Sequence, residues 1–180
     1  GSTQNRSGKN MEVDCSRVAE DILAKAKRAV CGVLDPEVPV LNIDEMGILQ
    51  RVHLEDEIVI VTITPTYVGC PAMDAIKVDI GSSLNDVGVE KYRIDIVYSP
   101  AWTTDWLSIA ARRKLKAYGI SPPMLKNEIK SSFKEGKSGV ECPLCESKTT
   151  SLVSEIGSTA CKSMYKCSNC LEPFEYFKCL

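Results

Sequence analysis

Two short cysteine pairs constrain this chain more than anything else in it: Cys142-Pro-Leu-Cys145 and Cys167-Ser-Asn-Cys170. Each C-x-x-C knuckle turns two thiolates toward one point. Two knuckles together supply the tetrahedral sulfur shell of a structural zinc ribbon. Four protein ligands leave no open coordination position, so such a site stabilises a fold and does not perform hydrolysis. An iron–sulfur cluster also takes four thiolates and is the competing occupant. Paired disulfides are disfavoured, because the chain holds nine cysteines, an odd number, and its N-terminus reads without a secretory signal.

Two further thiols lie close by, Cys161 in Gly157-Ser-Thr-Ala-Cys161 and Cys179 in Phe177-Lys-Cys179. Either is an alternative metal ligand to a knuckle cysteine. The plainer reading makes the first a small buried hydrophobe and the second a tail thiol.

At 180 residues the chain has room for one modest core and a small appended module. Hydrophobic residues at 44% and charged residues at 26% are those of a water-soluble globular protein. No apolar run approaches the length of a membrane helix. Metal-type cysteine spacing without an export signal points to a reducing cytoplasm. Net charge is −2, and basic and acidic residues are nearly balanced beyond residue 121, so no basic face for nucleic acid is legible. Gly1-Ser2 and the polar stretch to Asn10 read as a vector remnant, with Met11 as the native start.

Periodicity divides the rest. Val18, Ile22, Ala26, Ala29 and Val33 recur at helical spacing, which predicts an amphipathic helix over about 16–33. Asp35-Pro-Glu-Val-Pro39 ends it, since prolines this close cannot continue a helix. Alternation over Ile48–Leu54 predicts a strand. Glu55-Asp-Glu57 then turns the chain into the β-branched run Ile58–Thr64, so the two strands form a hairpin. A second helix is predicted from Pro71 to about Val87, with Met73, Ile76, Ile80 and Leu84 on one stripe. Tyr92, Ile94, Ile96 and Tyr98 mark a third strand. A third helix is expected from Asp105 to Tyr118, capped by Thr104 and closed by Gly119. The Lys-, Ser- and Gly-rich stretch from Met124 reads as a linker. Trp102 and Trp106 flank the preceding turn, as docking surface or as core, with core expected for Trp106.

His53 is the single histidine, expected to face solvent, so histidine-based zinc hydrolysis and relay chemistry are disfavoured. No glycine-rich loop matches a dinucleotide or phosphate-binding fingerprint. Cys70, in Gly69-Cys70-Pro71, is expected at the N-cap of the second helix. There the dipole and free amides favour thiolate, making it a candidate nucleophile, redox sensor or soft-metal ligand, against the plainer reading of a small buried residue. Asp35 and Glu37 either bind a hard cation or, by the reading preferred from spacing alone, serve as a turn cap and a solvated side chain.

Asp35-Pro-Glu-Val-Pro39 followed by Gly69-Cys70-Pro71 resembles the MIP18 family of iron–sulfur cluster assembly proteins. Pro100-Ala-Trp-Thr-Thr-Asp-Trp106, Tyr118-Gly-Ile-Ser-Pro-Pro123, Gly157-Ser-Thr-Ala-Cys161 and Glu172-Pro-Phe-Glu-Tyr-Phe-Lys-Cys179 narrow the likeness further. With the two knuckles, they resemble the D-type subunits of the phenylacetyl-CoA epoxidase (ring 1,2-epoxidase) system of bacterial phenylacetate degradation. The likeness covers about 16–123 and 141–180. It implies an α+β fold, a small three-stranded sheet with packed helices plus a C-terminal zinc ribbon. The implied division is a tag remnant and N-terminal tail (1–15), a MIP18-like domain (16–123), a linker (124–140) and a four-cysteine ribbon (141–180).

The resemblance further implies a non-enzymatic accessory role in aerobic phenylacetate degradation. The chain would assist iron or iron–sulfur cluster assembly in a di-iron oxygenase or an iron–sulfur flavin reductase. Carried over by motif, Cys70 is the cluster-transfer thiol, with Asp35 and Glu37 lining the neighbouring loop. Cys142, Cys145, Cys167 and Cys170 hold a structural zinc, and Cys161 and Cys179 are the alternative ligands. A transient cluster, too many-coordinate for Cys70 alone, would be shared with Cys161 or Cys179, across a homodimer, or with the recipient. The competing readings are a stoichiometric structural component of the oxygenase complex and a thiol-dependent redox sensor using Cys70. Neither nucleic acid nor membrane is an expected partner.

Overall fold

The computed structural model describes residues 15–125 and 139–178, with side chains from residue 17 onward. The expected vector remnant, most of the expected linker and Cys179 lie outside these residues.

Helix α1 spans Cys15–Cys31 and packs on the hairpin of β1 (Leu49–Glu55) and β2 (Ile58–Ile63). The strands pair antiparallel with Val52 opposite Val61, and Asp56 and Glu57 turn between them at positive φ, 47° and 64°. Helix α2 (Ala72–Asp86) then crosses over to β3 (Tyr92–Ile96), which pairs parallel with β2. The sheet order β1-β2-β3 makes β2 the central strand. Its unbroken β-branched run suits that place, with Val59, Ile60, Val61 and Ile63 all buried.

The predicted hairpin, second helix and third strand are all present. The third helix differs. Thr103, not Thr104, caps a single 3-10 turn over Thr104–Trp106, and Ser108 caps the true helix α3, Ile109–Tyr118, by accepting from the Ala111 amide at 3.0 Å. Thr103, Thr104 and Ser108 are all competent caps, and the chain uses two of them because Leu107 is extended and ends the first turn. Gly119 closes α3 in the left-handed region, as expected. Helix α1 and the turn after it bury Ala26, Val30 and Val33, whereas Val18 and Ile22 of the predicted stripe remain exposed. His53, expected to face solvent, is half-buried.

A second sheet runs β4-β7-β6-β5. Strands β5 (Thr150–Ser154), β6 (Lys162–Cys167) and β7 (Pro173–Phe177) form the antiparallel ribbon. Its fourth strand, β4 (Ile120–Ser121), follows directly on α3 and pairs parallel with β7. Ser121 Oγ also donates to the Glu141 carbonyl at 2.7 Å. The ribbon is thus built onto the first unit. Cys161 and Phe177 belong to the main core, while Val140, Cys142, Cys167 and Phe174 form a small core of their own.

Trp102, not Trp106, is the deeply buried tryptophan, and its indole Nε1 donates to the Met46 carbonyl at 2.9 Å. Trp106 is half-buried over Gly47, where a Cβ would lie 2.7 Å from the Trp106 Cβ. Only glycine allows that approach, and its φ of +75° asks for glycine as well.

Candidate functional site

The two knuckles meet. The sulfurs of Cys142, Cys145, Cys167 and Cys170 all lie within 4.8 Å of one another, with Cys142 to Cys170 at 3.7 Å and Cys145 to Cys167 at 3.5 Å. A tetrahedron with metal–sulfur bonds of about 2.3 Å has edges of about 3.8 Å, so the thiols already stand near a zinc coordination shell. The knuckles share a design. Glu146 and Leu171, each following the second cysteine of its pair, take positive φ of 63° and 65° and bend the chain around the site. The Asn169 amide donates to Cys167 Sγ at 3.4 Å, and Asn169 Nδ2 reaches Cys145 Sγ at 3.6 Å.

At Cys145 such donors favour thiolate. The Asn169 side chain, then the Ser147 amide, hold the Cys145 thiol down at about 6. At Cys170 the Glu172 amide also favours thiolate, but burial and the neighbouring thiols of Cys142, Cys145 and Cys167 outweigh it and push this thiol up to about 12. A divalent cation seated among four such sulfurs binds them as thiolates and releases their protons to solvent. The donor set fits a closed structural metal.

The Asp35–Glu37 turn lies where the ribbon meets the first unit. Asp35 is 4% exposed, and its Oδ1 accepts from the amides of Glu37 at 2.7 Å and Val38 at 3.0 Å. Its carboxylate is therefore used as a turn cap. Burial raises its pKa against those two amides. Glu37, a merely solvated side chain by spacing alone, is half-buried and engaged. Its Oε2 accepts from Cys161 Sγ at 3.4 Å, and its carbonyl accepts from Lys162 Nζ at 3.0 Å. Lys162 is itself buried, so an ammonium and a thiol from the ribbon both seat on the Asp35–Glu37 loop.

Cys70 approaches the same loop from the start of α2. Pro71, not Cys70, occupies the N-cap, which leaves the thiol one residue outside the helix. Gly69 takes φ of +80°, with nothing within 4 Å of where its Cβ would be, and turns the chain into Cys70. The thiol is 8% exposed. Burial raises its pKa, the Ala72 amide opposes that, and the Glu37 carboxylate raises it further. The expected helix-start thiolate is thus a neutral thiol, because desolvation exceeds the amide's pull. The Tyr67 hydroxyl is pushed up to about 12, by burial first and then by Cys70, Glu37 and Cys161. Cys161, 4% exposed, is pushed up to about 11 by burial, against the Thr159 hydroxyl at 3.0 Å and with Glu37 adding to the rise.

Two sets of thiols are therefore distinct. Cys161 does not enter the ribbon quartet but joins Glu37, Tyr67 and Cys70 where the two units meet. Spacing alone carries no signal for that, because Cys161 and Glu37 are 124 positions apart.

Comparison with known proteins finds a family match on each unit. Residues 23–91 match the family described as iron–sulfur cluster assembly protein, and residues 126–178 match the PaaD zinc beta ribbon domain. The first unit is similar to a crystal structure of a domain of unknown function from Bacillus anthracis, with a TM-score of 0.50 and 25% identity over 56% of this chain and 96% of that one. An Fe-S protein maturation auxiliary factor of Porphyromonas gingivalis is 37% identical over 98 residues, covering 53% of this chain and 89% of that protein. The D-type subunit of a 1,2-phenylacetyl-CoA epoxidase from Escherichia coli (strain K12) is 42% identical over 146 residues, 81% of this chain and 86% of that one. An identity this extensive reaches beyond either domain match, and with it the chain belongs to the family of D-type subunits of 1,2-phenylacetyl-CoA epoxidases.

Proposed function

We propose that this chain is a non-catalytic accessory component of a phenylacetyl-CoA 1,2-epoxidase system that assists iron or iron–sulfur cluster assembly in the oxygenase or reductase. Cys70 is the transfer thiol, Asp35 holds the neighbouring turn, and Glu37 lines it. The ribbon holds zinc through Cys142, Cys145, Cys167 and Cys170 and serves as the rigid part of the docking platform. One observation carries this reading: a domain of the iron–sulfur assembly family bears a buried thiol directly after a positive-φ glycine and beside the Glu37 carboxylate, in a chain 42% identical to an epoxidase component. The site of action in this proposal is the cytoplasm. No described helix is long and apolar enough to cross a membrane.

The test is anaerobic loading of metal-free oxygenase and reductase with iron and sulfide, with and without this protein. Wild type raises iron content and epoxidation, and Cys70→Ser loses that gain at least tenfold. Full loading by Cys70→Ser sinks the reading. The naming of the Escherichia coli relative as a subunit favours a second reading, a stoichiometric structural component. A stable complex of fixed composition in size-exclusion chromatography, needing no Cys70 thiol, supports that alternative.

A further inference from the structure

We propose that Cys161, brought from the ribbon to the Asp35–Glu37 loop, completes a three-donor site for ferrous iron with Cys70 and the Glu37 carboxylate. The inference rests on the reading of Cys70 above and selects its second sulfur ligand, which the resemblance left open among Cys161, Cys179, a homodimer partner and the recipient.

The geometry carries the argument. Cys161 Sγ lies 3.4 Å from Glu37 Oε2, and the charge of the same carboxylate reaches the Cys70 thiol and the Tyr67 hydroxyl. Both cysteines are buried and free, so each is a reduced thiol held out of bulk water. The ammonium of Lys162 is engaged by the Glu37 carbonyl at 3.0 Å, on the backbone side of that residue. Acid-forming groups thus outnumber cations there. When iron enters, the two thiol protons leave to solvent and two thiolates and a carboxylate replace them, a donor set suited to a divalent metal of borderline softness.

The contrast with the ribbon shows what such a site is for. Among the described residues the ribbon quartet is the group of three or more such donors already within 4.8 Å of one another. The junction donors stand farther apart and must close on the ion by side-chain rotation. Three donors also leave a coordination position open, as in metal sites that exchange ligands. The closed quartet keeps its ion, and the open trio gives its ion up. Because Cys161 precedes β6 directly and Lys162 anchors the loop, the trio exists only while the ribbon is docked.

The test uses the full chain with its ribbon zinc in place, titrated anaerobically with Co2+ as a spectroscopic stand-in for Fe2+. Zinc content is followed throughout. Wild type is expected to take up one further equivalent per chain with a thiolate-to-cobalt charge-transfer band. Cys161→Ser, Cys70→Ser and Glu37→Gln each weaken that binding at least tenfold, and either serine variant lowers the band intensity, with zinc unchanged in all three. Glu37→Gln guards against a folding defect from altering the buried Cys161. Uptake of the extra equivalent by Cys161→Ser as tightly as by wild type, or no uptake by wild type, overturns the inference. If Cys161→Ser is neutral in this titration while Cys70→Ser still fails to load the apo-oxygenase, the site falls and the assembly role survives. If Cys70→Ser loads the oxygenase fully, the assembly role falls.

Discussion

Phe177 meets Trp102 edge-on, the ring centroids 6.1 Å apart and the planes 74° to each other. The last residue of the ribbon's final strand is thereby inserted into the core of the first unit, where it is fully buried. Together with the pairing of β4 on β7, this contact joins the two units into one folding entity.

Truncating Phe177→Ala is expected to cost about 3–5 kcal/mol, the range for a buried aromatic replaced by a methyl group. The loss should appear in urea unfolding as a lower midpoint of a single transition, with zinc content unchanged, because the ligand sulfurs lie in or against the separate small core. Two separate transitions in wild type would show that the units do not share a core.

Removing the metal tests the other half of that coupling. Cys167→Ala, at the end of the central ribbon strand β6, deletes a buried ligand and leaves three thiols around the ion. Zinc content is expected to fall from one per chain to near zero. The order of β5–β7 is expected to go with it, since so small a core does not hold a three-stranded sheet unaided. NMR spectra should lose the ribbon signals while those of α1 and β1–β3 persist. Trp102 resonances should shift as Phe177 is released.

Much of this was readable in residue order, and what was not has an identifiable cause. The β-branched run of β2, the stripe on α2 and the knuckle spacing are local patterns, and local patterns dictated those elements. Strand β4 is two residues long, too short to show an alternation. Its pairing with β7 depends on where α3 delivers it. The choice among Thr103, Thr104 and Ser108 as caps turned on the backbone of Leu107, which no propensity states. Trp106 packs against the core only half-buried, while Trp102, whose depth the sequence left open, is the more deeply buried because Phe177 and Met46, distant in sequence, enclose it. At Cys70 the helix-start argument was correct about the Ala72 amide and incomplete about desolvation. The meeting of Cys161 with Glu37 is wholly tertiary.

Stability should fall at alkaline pH through Cys161. Its thiol is raised from 9.0 to about 11, so the native state holds a proton that the unfolded chain releases. The stabilisation is fully present below pH 9 and is lost as pH rises toward 11. For a residue this buried, a displacement of that size corresponds to roughly 2–3 kcal/mol. Urea midpoints measured between about pH 8 and 11 should decline, and Cys161→Ala should flatten the decline. Tyr67, raised to about 12, acts in the same direction at higher pH.

The reactivity of Cys70 offers the sharpest check on its environment. Burial and the Glu37 carboxylate both raise this thiol above its ordinary 9.0, so the nucleophilic thiolate is scarce at neutral pH. Alkylation by iodoacetamide, followed by peptide mass spectrometry, should therefore be slow at about pH 7 and accelerate about tenfold per pH unit through pH 9 without a plateau. Glu37→Gln removes a negative charge acting on the sulfur and should move the whole rising limb to lower pH, so that the rate at about pH 8 increases. A plateau for Cys70 below about pH 8 would mean that the helix start does hold a thiolate, and that the amide of Ala72 exceeds burial after all.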